Sequence, residues 1–166
     1  MSEQERADLL ETLGKHRELF RFPVQGLTDE QAAATPTASQ LCLGGLIKHV
    51  TFVESGWVDF IIHGTSAMEA KEGSYDLHTN SFRMLEGETL AGVLADYEAC
   101  AKRTDDLVRT LPSLDVSHPL PEAPWFEPGA SWTARRVFVH IVAETAQHAG
   151  HADILRETLD GQRSMG

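Results

Sequence analysis

Apolar residues recur every three or four positions along most of this chain, and this spacing constrains the fold more than any other feature of the sequence. The helical pattern covers residues 2–20, 40–64, 89–111 and 131–161. A sustained alternation of apolar and polar residues, which would indicate strands, is not found. The sequence therefore predicts an all-α, up-and-down four-helix bundle.

Two connections between the predicted helices are long. Residues 64–88 show no clean period, and residues 111–130 contain five of the seven prolines. We expect no regular helix in either segment, apart from a short turn within residues 64–88. Loops longer than about 12 to 15 residues are usually functional or disordered. The proline-rich segment, which contains Trp125 and Phe126, is therefore interpreted as a lid.

The length and charge of the chain exclude several classes of function. A chain of 166 residues is expected to form one domain, residues 1–166, that buries a core without disulfides or structural zinc. Any bound metal is therefore expected to serve chemistry. The 14 Lys and Arg residues against 25 Asp and Glu residues give a formal charge of -11, with no basic cluster. Nucleic acid is a poor partner for such a surface.

The cysteines and the N-terminal sequence bear on the compartment. Cys42 and Cys100 lie far apart in predicted helices, and two cysteines in a chain of this length do not make a disulfide framework. We interpret both as buried thiols in a reducing cytoplasm. The first residues lack the regions of a signal peptide, and no apolar run approaches the ~20 residues that span a bilayer. We therefore expect a cytoplasmic protein that does not contact the membrane.

Polar residues interrupt the apolar stripes of two predicted helices. Glu144 and His148 lie within the stripe of the fourth helix, with His151 at its edge; its aliphatic members are Val137, Ile141, Leu155 and Leu159. His49 lies within the stripe of the second helix, whose other members are Cys42, Leu46, Val53, Trp57 and Phe60. A buried carboxylate is costly unless it is paired or bound to a metal.

The spacing of these polar residues suits a metal site. Glu144 and His148 are four residues apart, so both side chains can reach one ion. If the second and fourth helices are neighbours, His49 joins them at the middle of the bundle. Three protein ligands with one open position are typical of catalytic zinc. We therefore predict that His49, Glu144 and His148 bind a divalent metal.

Each of these residues also has a simpler interpretation. His49 alone would more often be a hydrogen-bonded core histidine, and Glu144 with His148 would form an ion pair. His151 either contacts the ligands or the substrate, or is a plain surface residue. His140 is expected at the surface or at the core edge, and His16 is a lesser alternative ligand. The remaining histidines are interpreted as ordinary loop or helix-end residues: His63, His78 and His118.

Two stretches resemble a known family. GGLIKHVTFVESGWV in the second helix and HIVAETAQHAGHADILRETLDG in the fourth are similar to the DinB-like superfamily of metal-binding bundles. That superfamily includes mycothiol-dependent maleylpyruvate isomerase and related thiol S-transferases. The resemblance covers nearly the whole chain in helix order and loop placement, and it implies three metal ligands that match His49, Glu144 and His148. Glutamate at position 144 is similar to the maleylpyruvate isomerase branch, whereas many members carry histidine there.

The resemblance also implies a mechanism and its partners. The resemblance implies a divalent metal, with Zn²⁺ as the first choice and Ni²⁺ or another ion as the alternative. The metal would lower the pKa of a low-molecular-weight thiol such as mycothiol. The thiolate would then attack a small electrophile held under the loops. The polar residues considered for contacts with mycothiol are Arg135, Arg136, His151 and Asp153. These expectations describe a metal-dependent thiol S-transferase or isomerase.

A second function remains open, namely a non-catalytic, stress-related dimeric protein that binds metal. A cavity that opens onto the metal would favour catalysis, because a substrate needs access.

Surplus apolar residues predict a homodimer. Leu10 on the first helix and Ile47, Ile61 and Ile62 on the second lie away from the predicted core stripes. Bundles with an exposed apolar edge often dimerise with two-fold symmetry. We expect contact through helix faces, with residues 111–130 near the metal site and outside the contact. The alternative is that the isoleucines pack under residues 64–88.

Overall fold

The computed structural model of the chain describes residues 3–69 and 73–164 and has six α-helices in these ranges. In chain order they are α1 (Glu3–Arg21), α2 (Asp29–Ala33), α3 (Leu43–His63), α4 (Ser74–Ser81), α5 (Leu90–Thr110) and α6 (Ala134–Asp160). The four long helices, α1, α3, α5 and α6, pack into a bundle in which α1 and α3 each contact α5 and α6. The predicted all-α four-helix bundle with two long connections is confirmed.

The four long helices run up, down, down and up along the bundle, so the strict alternation of the predicted up-and-down order is not found. Thr51 and Glu54 of α3 contact Cys100 and Thr104 of α5 in the same order along both helices, so α3 and α5 are parallel. Residues 64–89 therefore return the chain along the bundle before α5 begins. A bundle with a long crossover adopts such an order, whereas short loops give strict alternation of direction.

The α3 and α6 helices are antiparallel neighbours. The ring of His49 lies against that of His148, and Trp57, two turns further along α3, lies against His140, two turns earlier on α6. The condition on which the predicted metal site depends, that the second and fourth predicted helices be neighbours, is therefore met.

Two apolar clusters occupy the two halves of the bundle. One is built around Phe20, Leu46 and Tyr97, and the other around residues that include Val58 and Phe138. Buried polar side chains lie between these clusters: Arg17, His49, Glu54, Thr104, Thr145 and His148. The centre of the bundle is thus polar, and burial there requires each group to have partners.

The segment between α3 and α5 contains more structure than the sequence predicts. It holds a 3-10 helix at Gly64–Met68 and the eight-residue helix α4, which starts after Gly73 in the left-handed conformation, with φ +81°. The prediction of a loop with only a short turn is wrong for α4. The reason is that Tyr75 and Leu77 of α4 are exposed, so the helix shows no core-facing apolar period. Residues 70–72 lie outside the described residues, as does Ser2, the predicted start of the first helix.

A short hairpin closes the proline-rich segment. The strands β1 (Ser117–Pro119) and β2 (Ser131–Thr133) pair in antiparallel fashion, with His118 opposite Trp132. No strand was expected, because three residues are too few to display an alternating pattern. The hairpin orients Trp132 toward α3, where its ring stacks on Trp57 with a centroid distance of 4.8 Å.

Several further expectations are decided by burial. Cys42 and Cys100 are buried free thiols, as predicted. Ile47 and Ile61, which were predicted to lie away from the core, are wholly buried within this chain, and only Ile62 of the three isoleucines is exposed. The α3 helix is enclosed on more sides than a single stripe requires, since α2, α4, α5 and α6 all contact it. Within the described ranges, none of the helices combines the length and apolar character that a bilayer crossing requires.

Candidate metal centre

The three predicted ligands lie together at the middle of the bundle. His49 of α3 and Glu144 and His148 of α6 each place one ligand atom within 4.8 Å of the other two. Both imidazoles are buried, with His49 5% and His148 8% exposed. Glu144 and His148 are one helical turn apart, so α6 by itself brings these two side chains together.

Glu144 lies at the edge of the buried stripe of α6. Its side chain is 28% exposed, whereas the neighbouring Thr145 is wholly buried. The expectation that Glu144 is buried in the middle of the stripe is therefore wrong. Successive residues of a helix with 3.6 residues per turn point in different directions. Residue 145 therefore points into the bundle, and residue 144 lies at the rim of the buried stripe. The Glu144 carboxylate consequently lies beside the His148 imidazole and is also partly exposed to solvent.

His49 is held on several sides. Its Nδ1 lies 3.0 Å from Oγ of Ser81, and its ring stacks on Phe82 with a centroid distance of 3.7 Å. The rings of His78 and His49 are T-shaped to one another, with their centroids 5.6 Å apart. Burial, and then the proximity of His148 and His78, lowers the pKa of His49 from 6.5 to about 4. The ring is therefore neutral near pH 7, the form that binds a metal.

His148 has a comparable environment. Its Nε2 lies 3.7 Å from Oε2 of Glu144, and its Nδ1 lies 3.3 Å from Nδ1 of His151. Burial lowers the pKa of His148, with a smaller lowering from His151 and an opposing effect from Glu144. His151 thus contacts a predicted ligand, which is one of its two expected positions.

His140, expected at the surface or at the core edge, lies beside the centre with its side chain 25% exposed. Its Nε2 lies 3.6 Å from Oε1 of Glu144, so one carboxylate lies between two imidazoles of the same helix. Burial lowers the pKa of His140, Glu144 opposes this, and Arg136 adds to it. The sequence does contain the signal, because His140 precedes Glu144 by the same four residues that separate Glu144 from His148.

An aromatic cluster covers the His140 side of the centre. The His140 ring is T-shaped to the rings of Trp57 and Trp132, with centroid distances of 5.0 and 5.2 Å. Phe126 packs edge-on against both tryptophans, and the guanidinium of Arg136 lies 4.4 Å above the Trp132 ring. The proline-rich segment therefore reaches the neighbourhood of the centre through Phe126.

Other sequence-predicted residues lie elsewhere. His16 is not among the residues whose ligand atoms converge. Arg135 pairs with Glu5 and Asp115, and Asp153 accepts a hydrogen bond from the backbone N–H of Ser164. His118 lies with Nε2 3.1 Å from the Ile61 carbonyl oxygen, which agrees with an ordinary structural histidine. His78 contacts His49, so its interpretation as an ordinary helix-end residue is incomplete.

The donor set fits a divalent metal such as zinc. Two neutral imidazoles and one carboxylate are ligands that Zn²⁺ binds at about 2.0 to 2.2 Å. Separations of up to 4.8 Å between the ligand atoms exceed those of a closed tetrahedral site, so modest side-chain rotation would accompany binding. Glu144, on the rim, has the freedom for that movement.

Comparisons with known proteins agree with this architecture. The chain is similar in structure to a conserved protein from Enterococcus faecalis that is known from a crystal structure. The superposition covers 98% of this chain and 99% of that one, with 14% identity and a TM-score of 0.69. At this identity the likeness shows the fold alone. No curated protein matches the chain in sequence. A sequence profile of mycothiol-S-transferases matches residues 8–161, from the first turns of α1 to the end of α6. The chain therefore belongs to the mycothiol-S-transferase family, a DinB-like family.

Proposed function

We propose that this chain is a metal-dependent S-transferase or isomerase that uses a low-molecular-weight thiol of the mycothiol type and a small electrophile. His49, Glu144 and His148 would hold the metal, with Zn²⁺ as the first choice. The observation that carries this proposal is the convergence of the three ligand atoms within 4.8 Å in a member of this family.

The charge of the donor set suits thiol activation. A divalent cation in the site would supply positive charge that lowers the pKa of a coordinated thiol. Two neutral imidazoles and one carboxylate neutralise only part of that charge, so an anionic sulfur is attracted to the centre. The partial exposure of Glu144 would give a substrate its approach to the metal.

The chain's own thiols do not serve as the nucleophile. Cys42 and Cys100 are both buried, and burial, reinforced by Glu54, raises the pKa of Cys100 to about 12. Nucleophilic cysteines need a low pKa and access to substrate. These observations support a thiol that is supplied as a co-substrate.

The residues around the centre suggest how a substrate would be oriented. Trp57, Trp132 and Phe126 form an apolar surface beside His140, which suits the apolar part of an electrophile. Arg136, above Trp132, and His151, beside His148, are the polar groups next to this region. Of the four polar candidates from the sequence, these two lie close to the centre, whereas Arg135 and Asp153 have other partners.

The second function, a metal-binding protein without catalysis, has one observation in its favour. His49 and His148 are more than nine-tenths buried, and only the Glu144 rim of the centre is partly exposed. A protein that stores or senses metal needs no wider access than this.

One experiment separates the two functions. The purified chain is analysed for metal, and consumption of mycothiol is followed with a panel of electrophiles. We expect a metal-bound parent that consumes thiol, a His148→Ala variant that has lost most metal and turnover, and a His63→Ala control that matches the parent, since His63 is exposed. A parent with stoichiometric metal and no turnover across the panel would favour the non-catalytic function.

We also propose that the chain acts as a single cytoplasmic domain and forms a homodimer. The dimer is now supported only by Ile62 and the partly buried Leu10, because Ile47 and Ile61 belong to the core. Light scattering at tens of micromolar tests it, and a strict monomer would refute it.

A further inference from the structure

Ser81 makes two hydrogen-bonding contacts with a single hydroxyl proton. Its Oγ lies 2.6 Å from the carbonyl oxygen of His78 and 3.0 Å from Nδ1 of His49. A carbonyl oxygen can only accept, so the hydroxyl proton is used toward His78. The Ser81 oxygen must then accept from His49, and the proton on the His49 ring must reside on Nδ1.

We propose that Ser81 is a positioning residue, which holds His49 in the tautomer with Nδ1 protonated and with the lone pair of Nε2 available to a metal at the His49, Glu144 and His148 centre. The tautomer follows from the hydrogen bonds alone, whereas its use for metal binding rests on the proposed function. Hydrogen bonds of this kind orient ligating histidines and raise their basicity.

The position of Ser81 is set by the closest approach of two segments. A Cβ atom at Gly45 would lie 2.0 Å from the carbonyl oxygen of Phe82, and one at Gly44 would lie 2.2 Å from Sδ of Met84. The Met84 side chain could move away from a Cβ at position 44, but the Phe82 backbone could not do so as easily, so the residues after α4 pack this closely on α3 because position 45 is glycine. His49 lies one turn after Gly45, which brings Ser81 within reach of its ring.

Lys48 of α3 binds the backbone of the segment around Ser81. Its Nζ donates to the carbonyl oxygens of Asn80 and Arg83 at 3.3 and 2.9 Å, and it pairs with Glu88 at 2.6 Å. The segment that carries Ser81 is thus bound to α3 on both sides of the serine. This arrangement restricts the movement of the Ser81 hydroxyl relative to His49.

The ring contacts of His49 complete the restraint. Phe82 stacks on the ring with an interplanar angle of 20°, and the His78 ring is T-shaped to it. These contacts restrict rotation of the ring, while the hydrogen bond from Nδ1 selects which nitrogen faces Ser81. The short helix α4 and the residues that follow it therefore support the centre.

A purely structural role for Ser81 is the alternative. Serine near the end of a helix commonly bonds a carbonyl three or four residues earlier. Ser66 offers the matched control, because its hydroxyl donates to the carbonyl of His63, also three residues earlier, at 3.3 Å. A role confined to that bond predicts no change in the tautomer of His49.

The test uses the full chain with ¹⁵N-labelled histidine, freed of metal by a chelator. Two-bond proton–nitrogen correlation spectra report which ring nitrogen of His49 carries the proton. We expect Nδ1–H in the parent, in Ser66→Ala and in Ser81→Thr, which keeps the hydroxyl, and a shift toward Nε2–H in Ser81→Ala. A parent with Nε2–H, or a Ser81→Ala variant with an unchanged tautomer, overturns the proposal.

Zinc affinity, measured by competition with a chromophoric chelator, gives the second readout. Loss of a partner that orients a ligand typically weakens metal binding about 10- to 100-fold, so we expect a loss of this size in Ser81→Ala. A parent that binds no zinc contradicts the proposed metal site. The spectra then still decide whether Ser81 sets the tautomer of His49. A tautomer shift in Ser81→Ala with unchanged zinc affinity defeats the positioning role itself.

Discussion

Oε2 of Glu144 lies 3.7 Å from Nε2 of His148, one turn further along α6. The carboxylate reaches this position from the rim of the buried stripe, and its other oxygen lies 3.6 Å from Nε2 of His140. The side chain at position 144 therefore connects the buried imidazoles to the exposed side of the centre.

Replacement of Glu144 tests its assignment as a metal ligand. We expect Glu144→His to retain metal, because the position and direction suit either side chain, and Glu144→Leu to lose most of it. The metal content of the purified variants is measured by mass spectrometry, with Glu157→Leu on the exposed face of α6 as the control. If Glu144→Leu binds metal as tightly as the parent, the third ligand lies elsewhere, and His140, His151 and His16 are examined first.

The stability of the metal-free chain should depend on pH through its buried histidines. Burial lowers the pKa of His49 from 6.5 to about 4, and it lowers the pKa of His148 as well. Below pH 6.5 the unfolded chain binds more protons than the folded one, so stability falls as the pH drops from 6.5 toward 4. His49 alone should cost about 2 kcal/mol at pH 5 relative to neutral pH.

Urea unfolding at pH 5 and pH 7, in the presence of a chelator, measures this dependence. A His49→Leu variant should lose part of the difference between the two pH values, since it lacks the ring that resists protonation. An equally steep dependence in the variant would show that other groups are responsible.

The ion pair between Arg17 and Glu54 should contribute strongly to stability. The two side chains lie 2.7 Å apart and are 5% and 1% exposed, and Oε1 of Glu54 also accepts from the hydroxyl of Thr104. Glu54→Ala would leave the Arg17 charge buried with only Asp105 as an anionic partner, at a cost of about 3 kcal/mol. The exposed pair between Asp59 and Arg103 is the control, and Asp59→Ala should cost less than about 1 kcal/mol.

Denaturant unfolding of both variants checks this difference. The double variant Arg17→Met with Glu54→Leu should recover much of the lost stability, because well-packed apolar residues can replace a buried ion pair. Equal losses in Glu54→Ala and Asp59→Ala would contradict the assigned importance of burial.

Gly45 and Gly56 of α3 should respond oppositely to replacement by alanine. A Cβ at Gly45 would overlap the Phe82 backbone, so Gly45→Ala should destabilise the chain by about 1 to 3 kcal/mol and displace Ser81 from His49. A Cβ at Gly56 meets no atom within 4 Å, and Gly56→Ala should stabilise the helix by about 0.5 to 1 kcal/mol. Thermal unfolding measures both, and a neutral Gly45→Ala would show that the residues after α4 move away readily.

Local patterns in the sequence determined the four long helices and the three residues of the candidate centre. Helical periodicity is a property of neighbouring residues, so it is visible without knowledge of the fold. His49 and His148 stand out for the same reason, since a polar residue within an apolar stripe conflicts with its neighbours, whereas Glu144 lies at the rim of its stripe. The four-residue spacing between Glu144 and His148 also places them together within one helix.

Tertiary structure alone decided which residues surround that centre. Ser81 reaches His49 only through the packing of the residues after α4 on the glycines of α3, and Arg17 finds Glu54 only because α1 and α3 face the same interior. The burial of Ile47 and Ile61 likewise depends on which elements enclose α3. These contacts join residues 32 or more positions apart, as between His49 and Ser81, and no local pattern specifies such pairs because they depend on how whole elements pack.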